Sequence, residues 1–164
     1  MALSRIIYTS TAARDITDED LRSILSTAKS YNEPREITGL LLSGGERFLQ
    51  LLEGDPQEVD QLYTGRIMKD PRHSQCKILL QEEADYRLFP NWSMGQLAIL
   101  EGDKSASAAW ASLCDELNEQ CPKAQGKQDK AVAYIAGFIE SFGDEIDESS
   151  FGTWISAHNR VKVA

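Results

Sequence analysis

The chain has 164 residues, 41% of them apolar and 26% charged, which is the mixture of a globular domain with a sizeable core and not of a disordered chain. Acidic side chains outnumber basic ones 26 to 17, a formal charge of −9. That balance excludes a nucleic-acid footprint built on clustered cations, and electrostatic docking on an anionic membrane. No apolar run is long enough to span a bilayer, and the first residues lack both the apolar run and the cleavage pattern of a signal peptide, so a cytoplasmic protein is expected.

Residues 5–10 form a short apolar, β-branched run, read as a strand. Thr17 precedes Asp18, Glu19 and Asp20, an N-cap with acid in the first helical turn, and Leu21, Ile24, Leu25 and Ala28 follow at helical spacing until Asn32-Glu33-Pro34 stops the helix. Residues 37–42 and 47–53, joined across Gly44-Gly45, read as a hairpin. Asp55 caps and Pro56 opens a second helix whose core side carries Val59, Leu62, Tyr63 and Ile67, closed by Asp70-Pro71. Residues 76–80 read as a fourth strand and 92–100 as a fifth. The order β-α-β-β-α-β-β is an α+β, ferredoxin-like βαββαβ arrangement with an added fifth strand, and right-handed crossovers put both helices on one face of the sheet.

Two amphipathic segments follow, 105–119 through Ala109, Trp110, Leu113 and Leu117, and 127–142 through Ile135, Phe138, Ile139 and Phe142. They are suited to cover the open face. The division expected is a core domain over 1–100, a helical cap or output segment over 101–142, and an acidic tail over 143–164 tipped by Phe151, Trp154 and Ile155. Cys76, Cys114 and Cys121 form no disulfide framework; the last two, seven residues apart on a helix, are separated by about 10 Å of rise. An odd, scattered set of thiols suits a reducing compartment, where the Asn91-Trp92-Ser93 sequon has no meaning. With only His73 and His158 beside these cysteines, no metal site is expected.

The informative anomaly is in the third strand. Phe48-Leu49-Gln50-Leu51-Leu52 is apolar except at its centre, and alternation sets Phe48, Gln50 and Leu52 on one face and Leu49 and Leu51 on the other. With both faces otherwise apolar, Gln50 is buried whichever way it points, and an unsatisfied buried amide costs about 1–3 kcal/mol. The first and third strands are neighbours in this topology, so the Tyr8 phenol is the expected partner. Taken alone, such a pair is more often core structure than chemistry. Alternation likewise puts Met94 and Trp92 on one side of the fifth strand, and leaves open which of them lies against Gln50.

Taken in order, Arg-Ile-Ile-Tyr8-Thr-Ser, Asn32 ahead of Ile37-Thr-Gly-Leu-Leu41, Phe48-Leu-Gln50-Leu-Leu-Glu-Gly54, Asp70-Pro-Arg-His73 and Trp92-Ser-Met94 resemble the BLUF family, the blue-light sensors that use flavin, over about residues 3–100. The resemblance implies FAD, with FMN or riboflavin tolerated, held between the two helices of the core. It implies that Tyr8 and Gln50 are the photoactive pair and that Trp92 and Met94 respond to light. It further implies that Asn32 bonds the pyrimidine side of the ring, that Ile24, Phe48 and Leu52 line the ring pocket, and that Arg66, Asp70 and His73 contact the ring or the ribityl chain. Thr64-Gly65 lengthens that last segment relative to the family pattern.

On this resemblance light draws an electron and a proton from Tyr8, Gln50 rearranges by rotation or tautomerisation, and a red-shifted state is relayed through the fifth strand and the C-terminal helices. A homo-oligomer and a downstream protein partner of unknown identity are implied, and no enzymatic activity. The competing readings on this fold are a light-independent enzyme and a plain interaction module. An acylphosphatase would need an anion-binding loop with an arginine, and none follows Tyr8. A redox flavoenzyme would need a candidate base or a Cys-x-x-Cys pair, and neither is present.

Overall fold

The computed structural model describes residues 2–99, 105–124 and 129–142. Five strands, β1 (Leu3–Ala12), β2 (Thr38–Gly44), β3 (Arg47–Gly54), β4 (His73–Ala84) and β5 (Gly95–Ile99), make one sheet in the order β4-β1-β3-β2-β5. All neighbouring pairs are antiparallel except β2 with β5. Four helices accompany it: α1 (Asp18–Asn32), α2 (Pro56–Leu62), α3 (Ser105–Gln120) and α4 (Lys130–Glu140). The expected α+β, ferredoxin-like core with one extra strand is the observed topology.

The local signals act as anticipated. Thr17 and Asp20 form a reciprocal capping box at α1, and Asp55 accepts from Gln57 N and Glu58 N to start α2, where Pro56 gives up an amide that would have had no partner. The sheet is apolar on both sides because it is covered on both sides. On one face Ile6, Tyr8, Leu41, Phe48 and Leu52 pack against α1 and α2. On the other Ile7, Leu40, Leu42, Leu49 and Leu51 meet α3 and α4, with the Trp110 side chain fully buried. The three cysteines are free thiols. No described helix is long and apolar enough to cross a membrane.

Three elements depart from expectation. β4 runs for twelve residues, not five, because pairing with β1 recruits the polar stretch Gln81-Glu82-Glu83 that has no strand signature of its own. After α2 the chain makes a π turn over Tyr63–Ile67, with Met68 N bonded to Tyr63 O at 3.0 Å, and Thr64 and Gly65 lie within this wider turn. β5 begins at Gly95, not at 92, so Trp92 and Met94 lie in the bend that precedes it. The segment 101–104 that joins β5 to α3, and the tail carrying Phe151, Trp154 and Ile155, lie outside the described residues.

Gly39 on β2 faces the β3 backbone so closely that a Cβ there would collide with the Leu51 carbonyl. Because a backbone carbonyl in a central strand cannot swing aside, Gly39→Ala is expected to cost about 3 kcal/mol, read as a lowered midpoint of denaturant unfolding with an unchanged slope.

Candidate functional site

Between α1, α2 and the sheet lies a cavity of about 600 Å³, the size of a small-molecule site. Its floor follows from strand register. Tyr8 on β1 stands directly opposite Gln50 on β3, and Gln50 opposite Leu41 on β2, so three consecutive strands present these side chains in one row. Tyr8 and Gln50 are both buried, and the Tyr8 hydroxyl donates to Gln50 Oε1. Gln50 Nε2 in turn donates to Met94 Sδ at 3.4 Å. Phenol, amide and thioether thus form one directed chain of hydrogen bonds.

Burial above all, reinforced by the neighbouring Cys76, Tyr63 and Asp70, pushes the Tyr8 phenol well above its ordinary range. It is therefore a neutral proton donor at any physiological pH. The Tyr63 ring packs 5.2 Å from it and the His73 ring 6.4 Å away.

At the α1 end Asn32 is fully buried. Its Nδ2 donates to Ser93 O at 2.9 Å, while its Oδ1 has no partner among the described residues. A buried acceptor without a partner costs free energy unless a donor meets it, and Asn32 is among the residues that line the cavity. Ile24 on α1 and Phe48 on β3 supply apolar wall.

The opposite end is polar. Asp70 and Arg72 form a bidentate pair at 2.6–3.0 Å that holds the carboxyl below its usual range. His73 Nε2 donates to Ile67 O at 2.6 Å, and Nδ1 lies 2.9 Å from Ser10 Oγ, within hydrogen-bond distance. Both ring nitrogens are therefore committed to the protein, and the imidazole offers its face as wall. The Arg66 guanidinium lies 4.4 Å over the Tyr31 ring at the rim.

Of the residues expected here, Tyr8, Ile24, Asn32, Phe48, Gln50, Arg66, Asp70 and His73 reach this cavity. Leu52 does not: it shares the face but is wholly buried beneath the cavity, packed in the cluster of Ile6, Ile37 and Val59. Trp92 and Met94, expected on one side, are split. Met94 is buried against Gln50, whereas the Trp92 indole stacks on Phe89 at 5.3 Å and 5° and belongs to the opposite core.

Strict alternation fails there because the chain bends before β5. Gly95 permits the bend, since a Cβ at that position would sit inside the Trp92 ring. Missed at the sequence level were Leu62, Ile67, Pro71 and Arg72 near the second helix, and Ser10, Thr27, Ala28 and Leu41 on the wall. The last four had a signal, being two residues from Tyr8 on a strand, three or four from Ile24 on a helix, or across the hairpin from Gln50.

A family model described as sensors of blue light using FAD matches residues 3–95. The beta subunit of photoactivated adenylate cyclase from Euglena gracilis is 36% identical over 93 residues, covering 56% of this chain and 11% of that protein. The blue light- and temperature-regulated antirepressor BluF of Escherichia coli K12 is 36% identical over 87 residues, 53% of this chain and 21% of the relative. The chain therefore matches only a small part of either relative. Among solved structures, the BlrP1 BLUF structure superposes with a TM-score of 0.73 at 27% identity, covering 88% of this chain and 94% of that one. With a cavity of ligand size, a buried phenol–amide pair on its floor and the family pattern running through both, the chain belongs to the BLUF family, the sensors of blue light using FAD.

Proposed function

We propose that this chain is a blue-light photoreceptor that holds FAD in the cavity between α1 and α2 and signals by rearranging the hydrogen bonds of Gln50. The observation that carries this reading is the buried chain from the Tyr8 hydroxyl through Gln50 to Met94 Sδ, beside the open Asn32 acceptor. The residues fit the group: Asn32 Oδ1 suits a ring N–H, and Ile24 and Phe48 suit an apolar ring face. Arg66 and the Asp70–Arg72 pair would suit the polar side chain of the cofactor. When bound, FAD supplies absorption of blue light and an excited state oxidising enough to take an electron from a phenol.

The protein's part follows from its own atoms. Tyr8, on losing an electron, becomes strongly acidic, and its proton passes along the existing bond to Gln50 Oε1. The protonated amide turns or tautomerises, exchanging donor and acceptor ends at almost constant volume. When the electron and the proton return to Tyr8, Gln50 is left with Nε2 withdrawn from Met94 Sδ. Light has then shifted the populations of a two-state element without net chemistry. Met94 immediately precedes β5, so a change there reaches the C-terminal helices and a protein partner they hold. Tyr134, exposed on α4, suits such a contact or a sister subunit in a homo-oligomer.

The test is the visible spectrum of the purified, flavin-loaded protein under blue light. A reversible red shift is expected, and Gln50→Leu is expected to keep the flavin and lose the shift entirely. A spectrum that stays fixed in the wild type, or a full photocycle in Gln50→Leu, overturns the reading.

A further inference from the structure

On the face of the sheet turned away from the cavity lies a buried ionic cluster that none of the sequence motifs announced. Arg5 is 3% exposed and Glu53 is wholly buried, and they are register partners on β1 and β3, three residues along from Tyr8 and from Gln50. Arg5 Nε meets Glu53 Oε1 at 2.9 Å, Nη1 meets Glu82 at 3.0 Å and Asp129 at 3.8 Å, and Nη2 donates to Tyr86 O at 2.8 Å. The other bonds of the Glu53 carboxylate are to backbone. It accepts from Leu88 N at 2.9 and 3.0 Å and from Phe89 N at 3.1 Å.

Those two amides begin the arc that ends at Met94. Along it the Phe89 and Trp92 rings stack, Gly39 N donates to Trp92 O at 3.0 Å, and Asn32 Nδ2 holds Ser93 O. At its other end the arc is tied to α4: Tyr86 OH donates to Asp129 Oδ2 at 2.8 Å, and Asp129 Oδ1 caps α4 through Ala131 N and Val132 N.

A buried pair of this kind is often no more stabilising than apolar residues of the same volume, so its distinguishing effect is geometric. A carboxylate holding successive amides fixes a backbone direction that apolar contacts would leave soft. We propose that Glu53 is a positioning residue for the light reaction, seating Met94 against Gln50 by anchoring the 88–94 arc, and that Tyr86 and Asp129 couple that arc to the N-terminus of α4. This rests on the role given above to Tyr8, Gln50 and Met94, and it adds a route to the helices besides β5.

The experiment uses the full-length, flavin-loaded chain with its methionine methyls labelled for NMR, comparing the wild type with Glu53→Gln, Glu53→Asp and Tyr86→Phe. Glu53→Gln is expected to keep flavin. It should raise amide exchange at Leu88 and Phe89 at least tenfold, move the dark-state Met94 methyl resonance, and change dark recovery after a blue pulse at least threefold. Glu53→Asp, one methylene shorter but still charged, is expected to move the same signals less, and it decides the matter should Glu53→Gln fail to fold. Tyr86→Phe is expected to leave the Met94 signal in place and to abolish the light-dependent change in exchange at Ala131 and Val132.

An unmoved Met94 resonance in a Glu53 variant whose Leu88 and Phe89 amides exchange faster overturns the positioning role. A light response at Ala131 and Val132 that is absent from the wild type, or survives in Tyr86→Phe, overturns the coupling. A wild type with no spectral shift condemns the photoreceptor reading instead, and the dark Met94 resonance still decides the role of Glu53.

Discussion

Tyr8→Phe is expected to yield a yellow protein whose spectrum no longer responds to blue light. The phenylalanine ring occupies the same buried place among Ile6, Phe48 and Tyr63, so the cavity floor keeps its shape. What disappears is one hydroxyl, and with it the hydrogen bond to Gln50 Oε1 along which the proposed proton transfer runs. A second effect accompanies the first: Gln50 Oε1 is left buried without its donor, which costs about 1–3 kcal/mol of folding stability. The two effects separate the readings of this pair. If Tyr8 and Gln50 were only core, the substitution would lower stability and leave any light response intact. Difference spectra under illumination, taken with a denaturant titration of the same sample, measure both. A wild-type amplitude of the red shift in Tyr8→Phe removes the proton route.

Asn32→Ala is expected to weaken flavin binding by about 10–100-fold, the equivalent of one or two hydrogen bonds made in a dry site at 1.4 kcal/mol per decade. The residue is fully buried at the end of α1, with one amide end pinned to Ser93 O and the other without a partner among the described residues. Truncation removes the open acceptor and also releases the Ser93 carbonyl, one residue from Met94. The remaining flavin-bound fraction is therefore expected to show an altered dark recovery as well. Titration of the apoprotein with FAD gives the first effect and flash spectroscopy the second. An unchanged affinity means that Asn32 does not face the ligand.

How legible the site was differs from residue to residue. Gln50 betrayed itself as a single amide in an apolar strand, and strand order made Tyr8 its expected partner, which the β1–β3 register sets directly opposite it. Asn32, Arg66, Asp70 and His73 came only from the ordered resemblance, since an asparagine at a helix end or a histidine after Asp-Pro-Arg has several commoner explanations. Leu52 shows the limit of face assignment. Alternation gives the correct side of the sheet but not the depth, and the depth is set by where α2 crosses, at Val59. Glu53 stands in the Phe48–Gly54 motif, but a single acidic residue before Gly54 carries no local sign of burial. Its partners come from β1, β4 and the loop after β4, far apart in the chain.

The amino-acid sequence by itself determined the order of elements, the capped helix starts, the two-sided burial of the strands and the placing of a phenol against an amide. All of these depend on spacing along the chain and on which residues must leave water. Only the tertiary structure decided that Trp92 and Met94 part to opposite faces. It also turned the polar end of β4 into strand and brought Arg5, Glu53 and Asp129 together. The physical reason is common to the three. Each depends on a contact between segments tens of residues apart, the Gln50 amide on the Met94 thioether, a ladder with β1 or a desolvated ion pair, and such contacts outweigh local preference by energies that no local pattern records.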